Sequence, residues 1–189
     1  VGIADRKSRE RAGREQRITT TARMIAEREG WSAVTVRRLA DEIEYSQPVL
    51  YAHFENRDAI VAAVAIEGFR ELALALRQAA HGSTVPQEAA LNVARAYLAF
   101  ALAQPALYEA MFAMPTGLRF AEADTRAELN DCFAALAAVV APSGSDVGLA
   151  TETFWAALHG LVALEQAGRI RPDMRDARAT LVVRGLLEC

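Results

Sequence analysis

Thr35-Val36-Arg37-Arg38-Leu39-Ala40-Asp41-Glu42-Ile43-Glu44-Tyr45-Ser46-Gln47-Pro48-Val49-Leu50-Tyr51-Ala52-His53-Phe54 is the stretch on which the fold turns. Val36, Leu39, Ala40 and Ile43 recur at the spacing that gathers side chains on one face of a helix. Thr35 stands where an N-cap hydroxyl can accept a bond from an otherwise unpaired backbone N–H. A turn through Glu44 and Tyr45 leads to Ser46, a second cap candidate. Pro48 then fits the first turn of another helix, where its missing N–H costs nothing. Val49, Leu50 and Phe54 fold inward, and the small Ala40 lets the two helices cross closely. Ser46, Gln47 and Tyr51 are left facing outward.

Working outward, the spacing predicts a first helix from about Arg14 or Arg17 to Glu29, with Ile18, Ala22, Ile25 and Ala26 inside. Gly30 is its C-cap candidate, and Trp31 folds back on the apolar stripe. Asn56 or Asp58 opens a fourth helix whose inner side runs from Ile60 to Leu76. Residues 81–84 read as a connection, and Pro86 begins a helix through Tyr97. Breaks fall at Gln104-Pro105 and at Met114-Pro115-Thr116-Gly117, before a long helix through Leu129 and Leu136. A loop at 141–145 precedes two apolar segments, about 146–167 and 174–188, the last capped by Asp173. The whole is all-α with about nine helices. No repeat or low-complexity tract interrupts it, and a functional division falls near residue 57.

Alanine and leucine dominate, prolines number six, and runs of β-branched residues are scarce, a mixture that favours helices. No stretch reads as apolar enough to cross a membrane, and the polar N-terminus is unlike a secretion signal. The expectation is a soluble cytoplasmic protein with no membrane partner. Net charge is −3, yet residues 1–17 carry six basic side chains against three acidic ones. Through residue 57 the balance is eleven to nine, so the remainder is acidic. A mildly basic head on an acidic body fits a molecule that sets one end against phosphates, although many proteins have basic ends. The segment before Arg17 reads either as a solubilising disordered head or as an arm that orders along a DNA groove.

Two short helices pinned by an apolar wedge can project one of them into a major groove. Gln47 offers the paired donor and acceptor that suit an adenine edge, and Ser46 can contact a base or phosphate. Tyr51 can bond to phosphate through its hydroxyl, while His53 and Arg57 are placed to clamp the backbone. Arg37, on the wetter side of the preceding helix, joins them. Periodicity alone is weak support, because many helical hairpins share it.

Thr35 to Ala40, Ser46 to Phe54 with its ending Leu50-Tyr51-Ala52-His53-Phe54, and Glu55-Asn56-Arg57-Asp58-Ala59-Ile60 together resemble the DNA-binding signature of the TetR family. Arg17, Ile18, Ala22, Glu29 and Gly30 stand where that family's first helix has such residues, so the resemblance covers about residues 14–62. It implies an N-terminal three-helix helix-turn-helix domain over 1–57 and a C-terminal helical ligand-binding and dimerisation domain over 58–189. It also implies that Thr35 and Ser46 cap helices beside the DNA backbone, Gln47 faces bases, and Tyr51 and His53 approach phosphates. Arg57 replaces the usual lysine there, keeping the charge but changing the hydrogen-bonding geometry. Glu44 stands where the family usually has glycine; keeping the same turn would cost about 1 kcal/mol or more.

Residues 151–165, with Trp155, His159 and Gly160, resemble a C-terminal domain type of a TetR subgroup. The resemblance implies a homodimer joined through the last two helices by Trp155, His159, Gly160, Val162, Leu181 and Leu186; alternatively these residues complete one protomer's core. The resemblance further implies a mostly apolar effector cavity lined by Phe69, Tyr97, Phe100, Gln104, Tyr108, Met111, Phe112 and Trp155, whereas the residues by themselves also read as ordinary core packing. Phe120 belongs to the same aromatic set. A small effector would then move the fourth helix and release DNA. Cys132 reads as a small buried hydrophobe, and with Cys189 it has no metal-ligand spacing. No nucleophile elbow, phosphate loop, zinc signature or cofactor motif is present, so neither catalysis nor a cofactor is expected. The expected function is repression at a palindromic operator; the alternative is a helical ligand-binding or interaction protein without specific DNA recognition.

Overall fold

The computed structural model describes residues 2–118, 125–141 and 146–187. Among them are nine α-helices and no strand: α1 (Ile3–Glu29), α2 (Val36–Glu42), α3 (Gln47–Tyr51), α4 (Arg57–Ala80), α5 (Pro86–Ala103), α6 (Pro105–Phe112), α7 (Ala127–Val140), α8 (Val147–Gln166) and α9 (Arg175–Leu187). Phe120, Cys189 and most of the loop expected at 141–145 lie outside the described residues.

The helices form two compact units, Val1–Gly68 with Gln104–Arg119, and Phe69–Ala103 with Phe120–Cys189. A single cut at residue 57 does not describe them. The first unit extends into α4 and takes α6 from far along the chain.

In the first unit, Leu39, Ala40, Ile43 and Leu50 of the expected apolar wedge are buried with Ile18, Ala22 and Ile25 of α1, while Val49 and Phe54 are half-buried. Thr35 caps α2, its hydroxyl accepting from the Arg38 N–H at 3.2 Å, an interaction that contributes about 1 kcal/mol. Asn56 caps α4 through the Ala59 N–H at 2.9 Å. Ser46 precedes α3 without a side-chain cap bond. The first helix begins at Ile3, well before the expected Arg14 or Arg17. Residues 3–13 have no apolar stripe, but they are rich in helix formers. The Asp5 carboxylate accepts from the Gly2 N–H, and Arg6–Glu10 and Arg11–Glu15 pair one turn apart.

α6 is held to α1 by polar ties. Glu27 accepts from the N–H groups of Ala106 and Leu107 at 3.2 and 2.9 Å, so its carboxylate caps the first turn of α6. The buried Trp31 indole donates to the Ala106 carbonyl at 2.8 Å, and Arg23 donates to Gln104. Gly68 lets α4 approach from another side: a Cβ there would stand 2.6 Å from Met111 Sδ and 2.9 Å from Leu107 Cδ1.

In the second unit α8 packs on α7 and α5, and α9 packs on α5 and α8. Phe154, Leu158 and Val162 of α8 are buried with Tyr97 and Leu98 of α5. Contrary to expectation, one helix among the described residues is long and apolar enough to span a membrane: α8, with a mean hydropathy of 1.3 over its most apolar 18 residues. Glu152 and His159 lie within it, and the core helix of a protein that crosses no membrane meets the same length and composition.

Candidate nucleic-acid interface

α3 is held by Leu50, its one buried residue, and by its contact with α2. Ser46, Gln47 and Tyr51 are exposed, and Tyr51 retains 53% of its surface. Thr35 and Arg37 are exposed on the neighbouring helix. Ser46, Gln47 and Tyr51 leave a polar face around the start and outer side of a short helix, with Pro48 enforcing its first turn. Such a face can present the Gln47 amide to a base edge and hydroxyls to phosphates.

The turn before α3 keeps the left-handed geometry that a glycine would favour. Glu44 has φ 56°, the only positive φ at a non-glycine among the described residues. Its carboxylate is exposed, and the Tyr45 N–H closes the turn on the Ala40 carbonyl at 2.9 Å. The missing glycine therefore changes the energy of the turn and not its shape.

Two expected phosphate clamps are placed differently. The His53 side chain is only 6% exposed, with Nδ1 3.2 Å from Glu15 Oε1 on α1. It ties α3's end to α1, leaving little of the ring for a duplex. Arg57 donates from Nε to the Val34 carbonyl at 2.8 Å and from Nη2 to the Trp31 carbonyl at 2.7 Å. It ties the start of α4 to the Val34 carbonyl and to the Trp31 carbonyl, which also accepts from the Val34 N–H, and so braces the head. Arg38, Glu29 and Arg28 add an exposed ion cluster, in which Arg38 chiefly and Arg28 hold the Glu29 carboxyl down at about 2.

Arg17 was not singled out for a contact from sequence, yet its guanidinium lies 5.4 Å from the centroid of the Tyr45 ring. The pairing places a cation at the turn that enters α3. The basic count of the N-terminus was the signal available for it.

The residues expected around an effector fall into both units. Phe69, Tyr97 and Phe100 are buried and Trp155 is half-buried in the second unit, where Trp155 Nε1 donates to the Tyr97 hydroxyl at 3.1 Å. Tyr108 and Met111 are buried in the first unit with the half-buried Gln104 and Phe112, and the Tyr108 and Phe112 rings lie 4.7 Å apart. The second unit also has an open groove of about 360 Å³ between α5 and the start of α9, containing none of these residues. Its Arg95 and Arg175 are paired with Asp176 and Glu165.

Among the expected interface residues, Val162 is fully buried within its own unit and serves as core. Trp155, His159, Gly160 and Leu186 are half-buried, while Leu181 keeps 67% of its surface. Burial pushes the His159 imidazole below its ordinary value. Cys132 is buried and its thiol is pushed up to about 12. Among the described residues no three His, Cys, Asp or Glu side chains gather as a metal site.

Residues 18–64 match the model of bacterial regulatory proteins of the tetR family, and residues 90–186 match the tetracyclin repressor-like C-terminal domain. The chain belongs to the TetR family. It is 31% identical over 168 residues to an uncharacterized HTH-type transcriptional regulator, Rv0681, of Mycobacterium tuberculosis, covering 88% of this chain and 76% of the relative. A protein of unknown function from Rhodococcus sp. RHA1 shares the fold with a TM-score of 0.75 and 23% identity, over 92% of this chain and 95% of the other. FadR of Bacillus subtilis, solved with stearoyl-CoA, shares it with a TM-score of 0.66 and 14% identity, over 91% and 97%. The TetR match makes this a transcriptional regulator with a helix-turn-helix DNA-binding domain.

Proposed function

We propose that the protein is a cytoplasmic homodimeric repressor that occupies a palindromic operator through α3 and is released by a small, mostly apolar effector. The observation that carries the DNA reading is the exposed Ser46-Gln47-Tyr51 face on a helix anchored by the buried Leu50 and tied at its end to α1 through His53. Regulation needs no catalysis. The dimer reading rests on Leu164 and Leu181, exposed on the last two long helices of the second unit. Two-fold pairing would present two α3 helices to two half-sites and multiply a small motif's affinity. The effector reading rests on the aromatic side chains that the second unit carries on α4, α5 and α8; FadR, which shares the fold, was solved with stearoyl-CoA, whose acyl chain is apolar. Such an effector has to bind the DNA-incompetent state more tightly, or it shifts nothing.

Selection from a random duplex pool tests this reading. The expected winner is an inverted repeat with half-site centres about 34–36 Å apart or a multiple of that spacing, bound with a steep salt dependence. Winners without two-fold symmetry would overturn the dimeric reading, and no winner at all would overturn specific recognition.

A further inference from the structure

The first half of α1 has no part in the reading head as described. Lys7, Arg11 and Arg14 precede Ile18 by 11, 7 and 4 residues, which places all four on one helical face. Ile18 is fully buried against the head. Two neighbours show what that side of the helix looks toward. Glu15 reaches His53 just beyond α3, and Arg17 lies over Tyr45 just before it. The side of α1 that packs on the helix-turn-helix therefore continues toward the N-terminus as a basic row.

From residue 15 to residue 7 the helix rises about 12 Å, past its contact with His53. Residues 5–14 are exposed throughout. Lys7 and Arg14 make no ion pair among the described residues. Arg11 has only the exposed one-turn pair with Glu15, which is weak in water and readily exchanged for a phosphate. Asp5 lies on the far side of the helix, and Glu10 lies on the flank beside Arg6.

We propose that this half-helix is a basic arm that lies along the phosphodiester backbone of the duplex flanking the operator core, with Lys7, Arg11 and Arg14 as its contacts. The arm rests on the reading of α3 as the base-reading element. Continuity with that element and the sign of the row select a polyanion as the occupant. Because the arm is already helical, it loses little chain entropy on docking. Its contacts are sequence-independent and should add affinity, salt dependence and footprint without altering base preference.

The test uses the full chain and the triple variant Lys7→Gln, Arg11→Gln and Arg14→Gln, which keeps good helix formers. Both are measured on the selected duplex, trimmed to its core or extended by about six base pairs on each side, beyond the arm's reach at 3.4 Å per pair. Wild type should bind the flanked duplex about tenfold or more tighter than the variant, with a salt slope steeper by roughly three per protomer. On the trimmed duplex the two should agree. Equal affinity and slope on the flanked duplex would overturn the arm while leaving α3 as the reader. A loss of the same size on both duplexes, or a lower melting temperature without DNA, would assign the row to the head's fold and also overturn it. Failure of the wild type to select any duplex would overturn both readings together.

Discussion

α3 and α8 are both left partly uncovered by their own units, and they uncover opposite chemistries. α3 is five residues long, and its outward side chains are a hydroxyl, an amide and a phenol. α8 is twenty residues long, and only 28% of its most apolar window is buried, with Leu149 and Leu164 exposed. Water satisfies the first surface at little cost, so it can stand open until a hydrogen-bonding partner arrives. The second surface loses about 25 cal/mol for each Å² of apolar area left wet, so a partner that covers it lowers the free energy whatever its sequence. The contrast separates specificity from assembly: one helix needs a partner with the right pattern, the other only one with the right shape.

Charging the apolar surface should have the largest effect. Leu164→Glu with Leu181→Glu is expected to weaken self-association about 100-fold or more, because each change acts twice across a two-fold axis and each buried leucine contributes roughly 1.5–3 kcal/mol. Sedimentation over a dilution series reads this out. An unaltered distribution of species would detach these leucines from assembly.

The polar surface should respond more narrowly. Gln47→Ala is expected to cost about 1–3 kcal/mol of discrimination at one base position in each half-site. Binding to the selected duplex and to its single-base variants measures it. A uniform loss across all duplexes would make Gln47 a positioning contact and not a reader.

The smallest effect sharpens the contrast from within the head. Glu44 holds a left-handed conformation that costs an ordinary residue about 1–2 kcal/mol. Glu44→Gly removes that cost but gains unfolded-chain entropy, so a net stabilisation of about 0.5–1 kcal/mol is expected in urea unfolding. A midpoint that fails to rise would mean that Glu44 has compensating contacts in the turn.

Much of the head was legible because its rules are local. The Thr35 and Asn56 caps, the Pro48 start, the Gly30 stop and the apolar wedge all follow from spacings of a few residues. Glu44 was legible as a misfit for the same reason. The early start of α1 was missed because residues 5–13 are exposed throughout, and amphipathic periodicity cannot register a helix without an inner face. His53 and Arg57 were assigned to phosphate on charge and position; their actual partners are Glu15, 38 residues away, and carbonyls of the preceding turn. Val162 shows the matching limit in the second unit, since periodicity identifies an apolar face but does not say whether a neighbouring helix or another protomer covers it. The tie between Glu27 and α6 crosses about 80 residues and leaves no local pattern at either end.

That tie sets a timetable for the newborn chain. When residue 68 leaves the ribosome, the Glu27 carboxylate still lacks both amides it will hold, and the Trp31 indole still lacks its acceptor. Only after α6 emerges, through Phe112, can these groups be satisfied. The reading head is thus closed by a piece made later than most of α4 and all of α5, and excising the first 68 residues would yield a fragment missing its own clasp.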